Sequence, residues 1–353
     1  MPRPKAAPPH SWTIRIDFHA TLPQTQGNVR ENVMTPLLNR QIHLVTGKGG
    51  VGKSLVSCVL AHLFEQGGHK TLLVQLHAKD AHSQPMETRP ITADLHQARD
   101  NLWVVNIDPA KALTEYITLK IRSEKISEAL VNRPTIKQFL KFVPSMAELN
   151  MLGKIWYHAE ETQGRRRRFD RVVVDCPPTG HALKFVDVAR TVFSVAPGGM
   201  MGDETRRIMH TLQDPSRSCL HVVTGLEELM IKETVELIAQ AEKSATAPLG
   251  YLICNGVQEP MFGPEDLQHL AQTHEDLHHD VPSPLKNALQ IALNRAQAES
   301  RQGMYLNKLK GVRSNMPMLM LPLIEKAELR SPDLRELGQW LVQQVPSVKG
   351  APS

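Results

Sequence analysis

The chain has 353 residues, with 41% hydrophobic and 22% charged side chains, a composition typical of a globular protein that buries a sizeable core. Its formal net charge of +5 is mild and its aromatic content is only 5%, which disfavours a nucleic-acid partner because stacking platforms need aromatic residues among basic ones. The one basic run, RRRRF (165–169), is interpreted as a solvated loop before a strand. Peripheral contact of this run with phosphate or an anionic membrane surface is the alternative.

The sequence carries no sign of export or membrane insertion. Its first residues, MPRPKAAPPHSW, lack the apolar core of a secretory signal, and no run approaches the roughly 18 apolar residues of a transmembrane helix. The four cysteines form no CxxC pair and are interpreted as small buried hydrophobic residues. We therefore expect a cytoplasmic protein with no transmembrane segment.

The pattern along the chain predicts one folded unit between two tails. Residues 1–33 show no sustained periodicity and predict a disordered tail, residues 34–345 a single domain, and residues 346–353 a short tail. We find no internal repeat, so we expect a single unit and not a tandem duplication.

Apolar strand-like runs alternate with helical patterns through this domain. QIHLVT (41–46) precedes a glycine-rich loop, and RVVVDC (171–176) contains a continuous β-branched run, as expected of a strand covered on both faces. The alternation predicts an α/β fold with a mostly parallel, doubly wound sheet. The other predicted strands lie at 70–76, 101–107, 219–224, 249–254 and 316–321.

Two stretches interrupt the alternation. Residues 110–163 and 264–312 have helical periodicity without a convincing strand. We expect them to form an inserted helical subdomain at one end of the sheet.

The loop after the first strand has the pattern of a phosphate-binding loop. GKGGVGKS (47–54) fits G-x-x-x-x-G-K-[ST] and lies between a predicted strand and a predicted helix. Its backbone N–H groups are expected to surround nucleotide phosphates, with Lys53 on the β- and γ-phosphates and the Ser54 hydroxyl on Mg²⁺. The residues assigned to nucleotide binding here are Gly47, Gly49, Gly50, Val51, Gly52, Lys53, Ser54 and Leu55.

A second motif supplies the other half of the site. VVVDCPPTGHALKF (172–185) places Asp175 at the end of a buried strand, where a carboxylate suits water-mediated Mg²⁺ coordination. The following Pro-Pro-Thr-Gly predicts a stiff switch that senses the γ-phosphate.

Together the two motifs resemble the ArsA and tail-anchored-protein-targeting ATPase family, within the class of P-loop ATPases with a deviant Walker A motif. The loop GKGGVGK and the switch D-x-x-P-T-G-H, here starting at Asp175, carry the likeness, which extends over about 38–345 as in a divergent bacterial-type member. The resemblance implies ATP and Mg²⁺ as cofactors. It also implies a homodimer or paralogue heterodimer in which Lys48 reaches the partner's nucleotide; a solvated Lys48 is the alternative.

Two further roles follow from the resemblance. Asn255, in ICNGV (253–257), lies where the family reads the adenine edge, and the loop beginning at Pro322 lies where it covers the base. An Asn side chain can both donate to and accept from adenine. A turn residue that ends a strand is the alternative for Asn255.

The sequence departs from the family after the second strand. In LLVQLHAKDAHS (72–83), His77 stands where the family carries an aspartate that orients the attacking water. A neutral His77 could accept a proton from water, whereas a protonated one would favour γ-phosphate binding. Alternatively, Asp80 takes the catalytic role, or the chain is a slow or inactive ATPase.

The client cannot be identified from the sequence. The cysteine cluster that binds arsenite and the zinc-binding CxxC of family members have no counterpart here. Methionines including Met146, Met151, Met200 and Met201 could line a groove for a hydrophobic helix, with ordinary core packing as the alternative. The histidines of THEDLHHD (273–280) are interpreted as an exposed helix end rather than a metal site.

We therefore expect an ATPase that binds and slowly hydrolyses Mg·ATP at a homodimer interface and couples the nucleotide state to a protein client. A nucleotide-gated scaffold with negligible turnover is the alternative. A P-loop kinase or ligase is disfavoured by the GKGG variant and the helical insertion.

Overall fold

The structure is a computed structural model that describes residues 38–121, 144–276, 283–312 and 316–345. The predicted tails at 1–33 and 346–353 lie outside the described residues. So do residues 122–143 of the predicted helical insertion and residues 277–282, which include part of the histidine-rich stretch.

One eight-stranded sheet organises the described residues. Its strand order is β10-β9-β8-β1-β7-β2-β4-β3, and every neighbouring pair is parallel except the antiparallel pair of β3 and β4. A separate antiparallel hairpin pairs β5 with β6. The strands are β1 (Ile42–Gly47), β2 (Thr71–Leu76), β3 (His96–Arg99), β4 (Leu102–Ile107), β5 (Thr162–Gln163), β6 (Arg166–Arg167), β7 (Arg171–Asp175), β8 (Ser218–Thr224), β9 (Leu249–Val257) and β10 (Met318–Pro322).

Helices cover both faces of this sheet. They are α1 (Lys53–Gln66), α2 (Pro109–Ile121), α3 (Pro144–Glu160), α4 (Thr179–Val195), α5 (Gly199–Gln213), α6 (Glu228–Ser244), α7 (Pro264–Asp276), α8 (Ser283–Val312) and α9 (Ser331–Gln344). One face packs on α1 and α9, and the other on α3, α4 and α5, with α6 and α8 at its far end. The central strands β1 and β2 are buried at every position, as continuous apolar runs require. The predicted mostly parallel, doubly wound sheet is confirmed.

All seven predicted strands are present, but β3 and the hairpin of β5 and β6 were not predicted. Strand β3 is short and mixed in polarity, and its Arg99 forms a two-pronged ion pair with Glu65 of α1, at 2.5 and 2.7 Å. The RRRRF run does not form the predicted loop, because Arg166 and Arg167 pair with β5. The next residue, Arg168, donates to Glu161 at 2.7 Å and fixes the hairpin against the end of α3.

The helical stretches pack in two groups. Helices α2 and α3 pack on each other, and α3 also packs on α4 and α5; α8 packs on α7 and α6. That the two stretches form one helical subdomain stays a prediction. Between α2, α3 and α5 lies a cavity of about 360 Å³ lined mainly by apolar side chains.

The sheet brings three strand ends together at its carboxyl edge. Strand β7 lies between β1 and β2, with Asp175 level with Val45 on one side and Gln75 on the other. Parallel α/β sheets bind ligands at this edge. The loop after β1, the loop after β2 and the switch after β7 therefore meet at one place.

Candidate functional site

The loop between β1 and α1 has a backbone that side chains would obstruct. A Cβ added to Gly47 would overlap the carbonyl oxygen of Val223 on β8, and one added to Gly52 would overlap the Asn255 amide. Gly52 also has a φ of 89°, in the left-handed region that favours glycine. The remaining predicted loop residues differ in solvent exposure. Gly49 and Gly50 are exposed, Val51 is buried in the core, and Leu55 packs partly against that core.

The first turn of α1 leaves its N–H groups available. The helix begins at Lys53 after Gly52, no side chain caps it, and no acidic residue lies in its first turn. The unsatisfied N–H groups and the helix dipole favour an anion there. The Lys53 ammonium donates to the Lys48 carbonyl at 3.1 Å, and burial lowers its pKa, with the Asp175 charge opposing the shift. Lys53 therefore lies folded over the phosphate loop.

The two predicted metal ligands are in contact. The Ser54 hydroxyl donates to Asp175 Oδ2 at 2.6 Å, joining the start of α1 to the end of β7. Hydroxyl and carboxylate oxygens are hard donors of the kind Mg²⁺ prefers. These residues therefore fit the metal ion that the two motifs imply.

Lys48 has a partner within its own chain. Its Nζ lies 3.0 Å from Glu233 Oε1 on α6, and both side chains are partly exposed. Glu233 was not identified from the sequence, which gave no reason to bring α6 beside the phosphate loop. The role of Lys48 at a partner's nucleotide stays a prediction.

His77 forms a histidine–aspartate pair at the end of β2. Its Nδ1 lies 3.0 Å from Asp108 Oδ2, and its side chain is 64% exposed. Asp108 also accepts a hydrogen bond from the Lys111 N–H at the start of α2, at 2.9 Å. His77 has a φ of 42°, in the left-handed region, which turns the chain sharply after the strand.

Asp80 holds the loop that follows His77. Its Oδ1 accepts from the N–H groups of His82 and Ser83, at 3.1 and 3.0 Å, and its Oδ2 accepts from the Ile91 N–H at 3.0 Å. Burial alone would raise the pKa of Asp80, but these hydrogen bonds outweigh burial and lower the pKa. In this arrangement Asp80 stabilises the loop, and its catalytic role stays a prediction.

His82 is another residue that sequence reasoning missed. It is completely buried, with Nε2 3.1 Å from Asp175 Oδ2 and Nδ1 2.8 Å from Gln75 Oε1. A second histidine in HAKDAHS (77–83) is the only local signal for it, and a weak one. Its contact depends on the register that places Gln75 beside Asp175, which the sequence does not reveal.

Of the two residues assigned to the base, Asn255 contacts the phosphate loop. The Asn255 amide donates to the Val51 carbonyl at 2.9 Å and supports the loop from β9. Pro322 ends β10 beside Val257. Their adenine contacts stay predictions.

Comparison with known proteins agrees with this geometry. Residues 40–196 match the profile of the anion-transporting ATPase family. ATPase BagA of Mycobacterium tuberculosis is 28% identical over 246 residues, covering 67% of this chain and 71% of that protein. The arsenical pump-driving ATPase of Acidiphilium multivorum is 28% identical over 246 residues, covering 60% of this chain and 38% of that protein.

A yeast relative matches over a longer stretch. ATPase GET3 of Zygosaccharomyces rouxii is 24% identical over 335 residues, covering 86% of this chain and 91% of that protein. The phosphate loop, the Asp175 switch and the parallel sheet all lie within or beside the matched domain. Residues 40–196 therefore carry a domain of the anion-transporting ATPase type, and the chain is similar to ATPases over most of its length.

Proposed function

We propose that the chain binds Mg·ATP at the interface of two copies, hydrolyses it slowly, and uses the nucleotide state to change its affinity for a protein client. The observation that carries this proposal is the 2.6 Å hydrogen bond between Ser54 and Asp175 beside the phosphate-loop lysine. A cytoplasmic location, predicted from the sequence, is part of the proposal.

The phosphate loop performs the binding step. Free N–H groups at the start of α1 receive the phosphates, and Lys53 moves from the Lys48 carbonyl to the β- and γ-phosphates. Ser54 and Asp175 hold Mg²⁺, which when bound neutralises charge on the phosphate oxygens. Positioning and electrostatics supply most of the catalysis in phosphoryl transfer, so these residues support turnover.

The pair of His77 and Asp108 supports activation of water. A proton on His77 Nδ1 is held by Asp108 at 3.0 Å, which leaves Nε2 as the proton acceptor. An imidazole oriented by a carboxylate is a competent general base. His77 and Asp108 therefore replace the carboxylate that the family resemblance leads one to expect.

Closing the dimer requires Lys48 to exchange partners. An ion pair as exposed as that of Lys48 and Glu233 contributes about 0–1 kcal/mol, so it opposes the exchange only weakly. In the closed dimer Lys48 would stabilise charge on the partner's nucleotide, as an arginine finger does.

The helical region supports the client step. The cavity between α2, α3 and α5 has Met146 and Leu149 in its wall, with the exposed Leu119 and Met201 at its rim. Met151, by contrast, is buried core. A groove of this kind suits a client with an apolar helical face. Arsenite is not part of the proposal, because all four cysteines are buried and distributed among core elements.

A nucleotide-gated scaffold is the second candidate. The high exposure of His77 favours it, because general bases work best in sites that exclude water. The scaffold would bind nucleotide and partners but turn over negligibly.

ATPase assays separate the two candidates. Wild type, Lys53→Ala and His77→Asp are measured side by side, with calorimetry of Mg·ATP binding as the control. The proposal expects wild-type turnover above Lys53→Ala. If wild type equals Lys53→Ala and only His77→Asp gains activity, the scaffold is correct. No saturable binding of any adenine nucleotide would refute both.

A further inference from the structure

The proton on the His82 ring is placed by its neighbours. The Gln75 amide nitrogen donates to the carbonyls of Ala78 and Lys79, at 2.8 and 2.5 Å, so the Gln75 oxygen faces His82 Nδ1 at 2.8 Å. An amide oxygen only accepts hydrogen bonds, so Nδ1 is the donor. In a neutral imidazole this leaves a lone pair on Nε2.

The second ring nitrogen, Nε2, lies beside the Asp175 carboxylate. His82 Nε2 lies 3.1 Å from Asp175 Oδ2 but has no hydrogen bond of regular geometry among the described residues, and the His82 side chain is fully buried. Asp175 Oδ2 also accepts the Ser54 hydroxyl. A buried ring nitrogen and a buried carboxylate oxygen that lie side by side without a regular hydrogen bond would both be satisfied by one shared cation.

The spacing matches a metal coordination sphere. Two ligands that are each about 2.1 Å from one ion and at right angles to each other are about 3.0 Å apart. The distance between His82 Nε2 and Asp175 Oδ2 is 3.1 Å. A histidine that binds a metal usually donates its other ring N–H to a carbonyl or carboxylate oxygen, as His82 does to Gln75.

We propose that His82 Nε2 is a direct ligand of the divalent ion that accompanies the nucleotide, so that the site takes a first-row transition ion such as Mn²⁺ in preference to Mg²⁺. The inference rests on the proposed nucleotide site. Imidazole suits transition ions, whereas Mg²⁺ takes oxygen ligands almost exclusively. The backbone N–H of His82 donates a hydrogen bond to Asp80, and this bond fixes the loop that presents the imidazole.

The same reasoning excludes a metal at another cluster. The nearest ligand atoms of His43, Cys219 and His221 lie within 4.8 Å of one another. However, the Tyr251 N–H donates to His221 Nδ1 at 3.1 Å, so His221 Nε2 carries a proton and donates to His43 Nδ1 at 3.1 Å. His43 Nε2 in turn donates to the Arg40 carbonyl at 2.8 Å. Every ring nitrogen of this cluster is already hydrogen-bonded.

Pulsed electron paramagnetic resonance of Mn²⁺ tests the proposal directly. The full chain is loaded with Mn²⁺ and ADP, and nuclear modulation of the Mn²⁺ signal is recorded. We expect ³¹P modulation from the nucleotide together with ¹⁴N modulation from an imidazole. A signal with ³¹P but without ¹⁴N would overturn this inference alone. A signal without ³¹P would refute the nucleotide site and the inference with it.

Two variants separate the roles of the two ring nitrogens of His82. His82→Asn keeps an amide near the position of Nδ1 and removes Nε2, whereas His82→Gln carries an amide to the position of Nε2. We expect both to lose the ¹⁴N modulation, keep the ³¹P modulation, and lose about tenfold of the preference for Mn²⁺ over Mg²⁺ in calorimetry of the ADP complex. If His82→Gln retained the wild-type preference, the position would need only a hydrogen-bonding group, and the proposal would be wrong. Labelling the histidines with ¹⁵N should change the modulation of the wild type without any substitution.

Discussion

Lys48 Nζ lies 3.0 Å from Glu233 Oε1, so the second lysine of the phosphate loop is held by its own subunit. The side chains are 23% and 34% exposed, so water screens the pair and it can break at small cost. In the proposed dimer Lys48 leaves α6 for the partner's nucleotide. Glu233 thus stabilises the open state against the closed one.

Glu233→Gln should favour the closed dimer. Removing the carboxylate frees Lys48, and a pair of this exposure is worth at most about 1 kcal/mol, so we expect up to about a fivefold rise in the dimer association constant. Sedimentation velocity with ADP, Mg²⁺ and a γ-phosphate analogue measures the constant.

The control for this substitution is Glu236→Gln, three residues further along α6 and exposed. It removes the same charge and should leave the constant unchanged. Lys48→Ala should abolish the response to Glu233→Gln. An equal effect of Glu233→Gln in the Lys48→Ala background would show that Glu233 acts elsewhere.

Asp108→Asn should slow turnover without weakening nucleotide binding. The amide oxygen still accepts the Lys111 N–H and caps α2, but the charge that holds the His77 proton on Nδ1 is lost. We expect kcat to fall about tenfold with KM unchanged, which is less than the full contribution of a general base because His77 itself remains. Steady-state ATPase assays provide both constants.

The double variant supplies the decisive comparison. In His77→Asp the carboxylate acts on water directly, so a further Asp108→Asn substitution should have little effect on kcat. Equal losses in both backgrounds would mean that Asp108 supports α2 and not the chemistry.

The strands and the phosphate loop could be predicted because each is encoded locally. Continuous β-branched runs such as that of β7 specify buried strands, and GKGGVGKS specifies a loop that only its glycines permit. The sequence assigned Ser54 and Asp175 to one metal ion but did not predict their direct contact, which arises because both lie at the same edge of a parallel sheet.

The partners of the candidate site residues could not be predicted, because they depend on contacts between distant parts of the chain. His82 meets Asp175 only because β2 and β7 are neighbours with Gln75 and Asp175 at the same level. Glu233 meets Lys48 across 185 positions of chain through the packing of α6. Neither contact leaves a periodic or compositional signal in the sequence.

Gly52→Ala should disable the phosphate loop. A methyl group there would overlap the Asn255 amide, and alanine would have to adopt a φ of 89°. The left-handed conformation alone costs about 1–2 kcal/mol for a non-glycine residue. We expect a measurable fall in thermal stability and loss of Mg·ATP binding in calorimetry.

Adding Asn255→Ala separates the two causes. It removes the overlapping amide but leaves the unfavourable φ, so it should restore part of the stability and little of the binding. Full recovery of both would mean that only the overlap matters.

The stability of the protein should fall as the pH drops below about 6.5, through His43 and His221. Burial is the main cause that lowers the pKa of each, to about 3 for His221 and well below its ordinary value for His43. Both are therefore neutral in the folded state, whereas the unfolded chain takes up protons as the pH falls through about 6.5. The unfolded state binds more protons from about pH 6.5 down to the lowered pKa of each folded histidine, about 3 for His221, so stability rises with pH in this window and is fully present above it.

Each of these histidines adds a slope that approaches about 1.4 kcal/mol per pH unit in that window. Urea unfolding at pH 7.5, 6.0 and 5.0 measures the slope above the range where most carboxylates bind protons. His221→Gln should remove up to half of it, while His210→Gln, on the exposed side of α5, should not. The slope is the relevant quantity, because His221→Gln also disturbs the hydrogen bonds to Tyr251 and His43 and so lowers stability at every pH. An unaltered slope in His221→Gln would show that the buried pair takes up protons without unfolding.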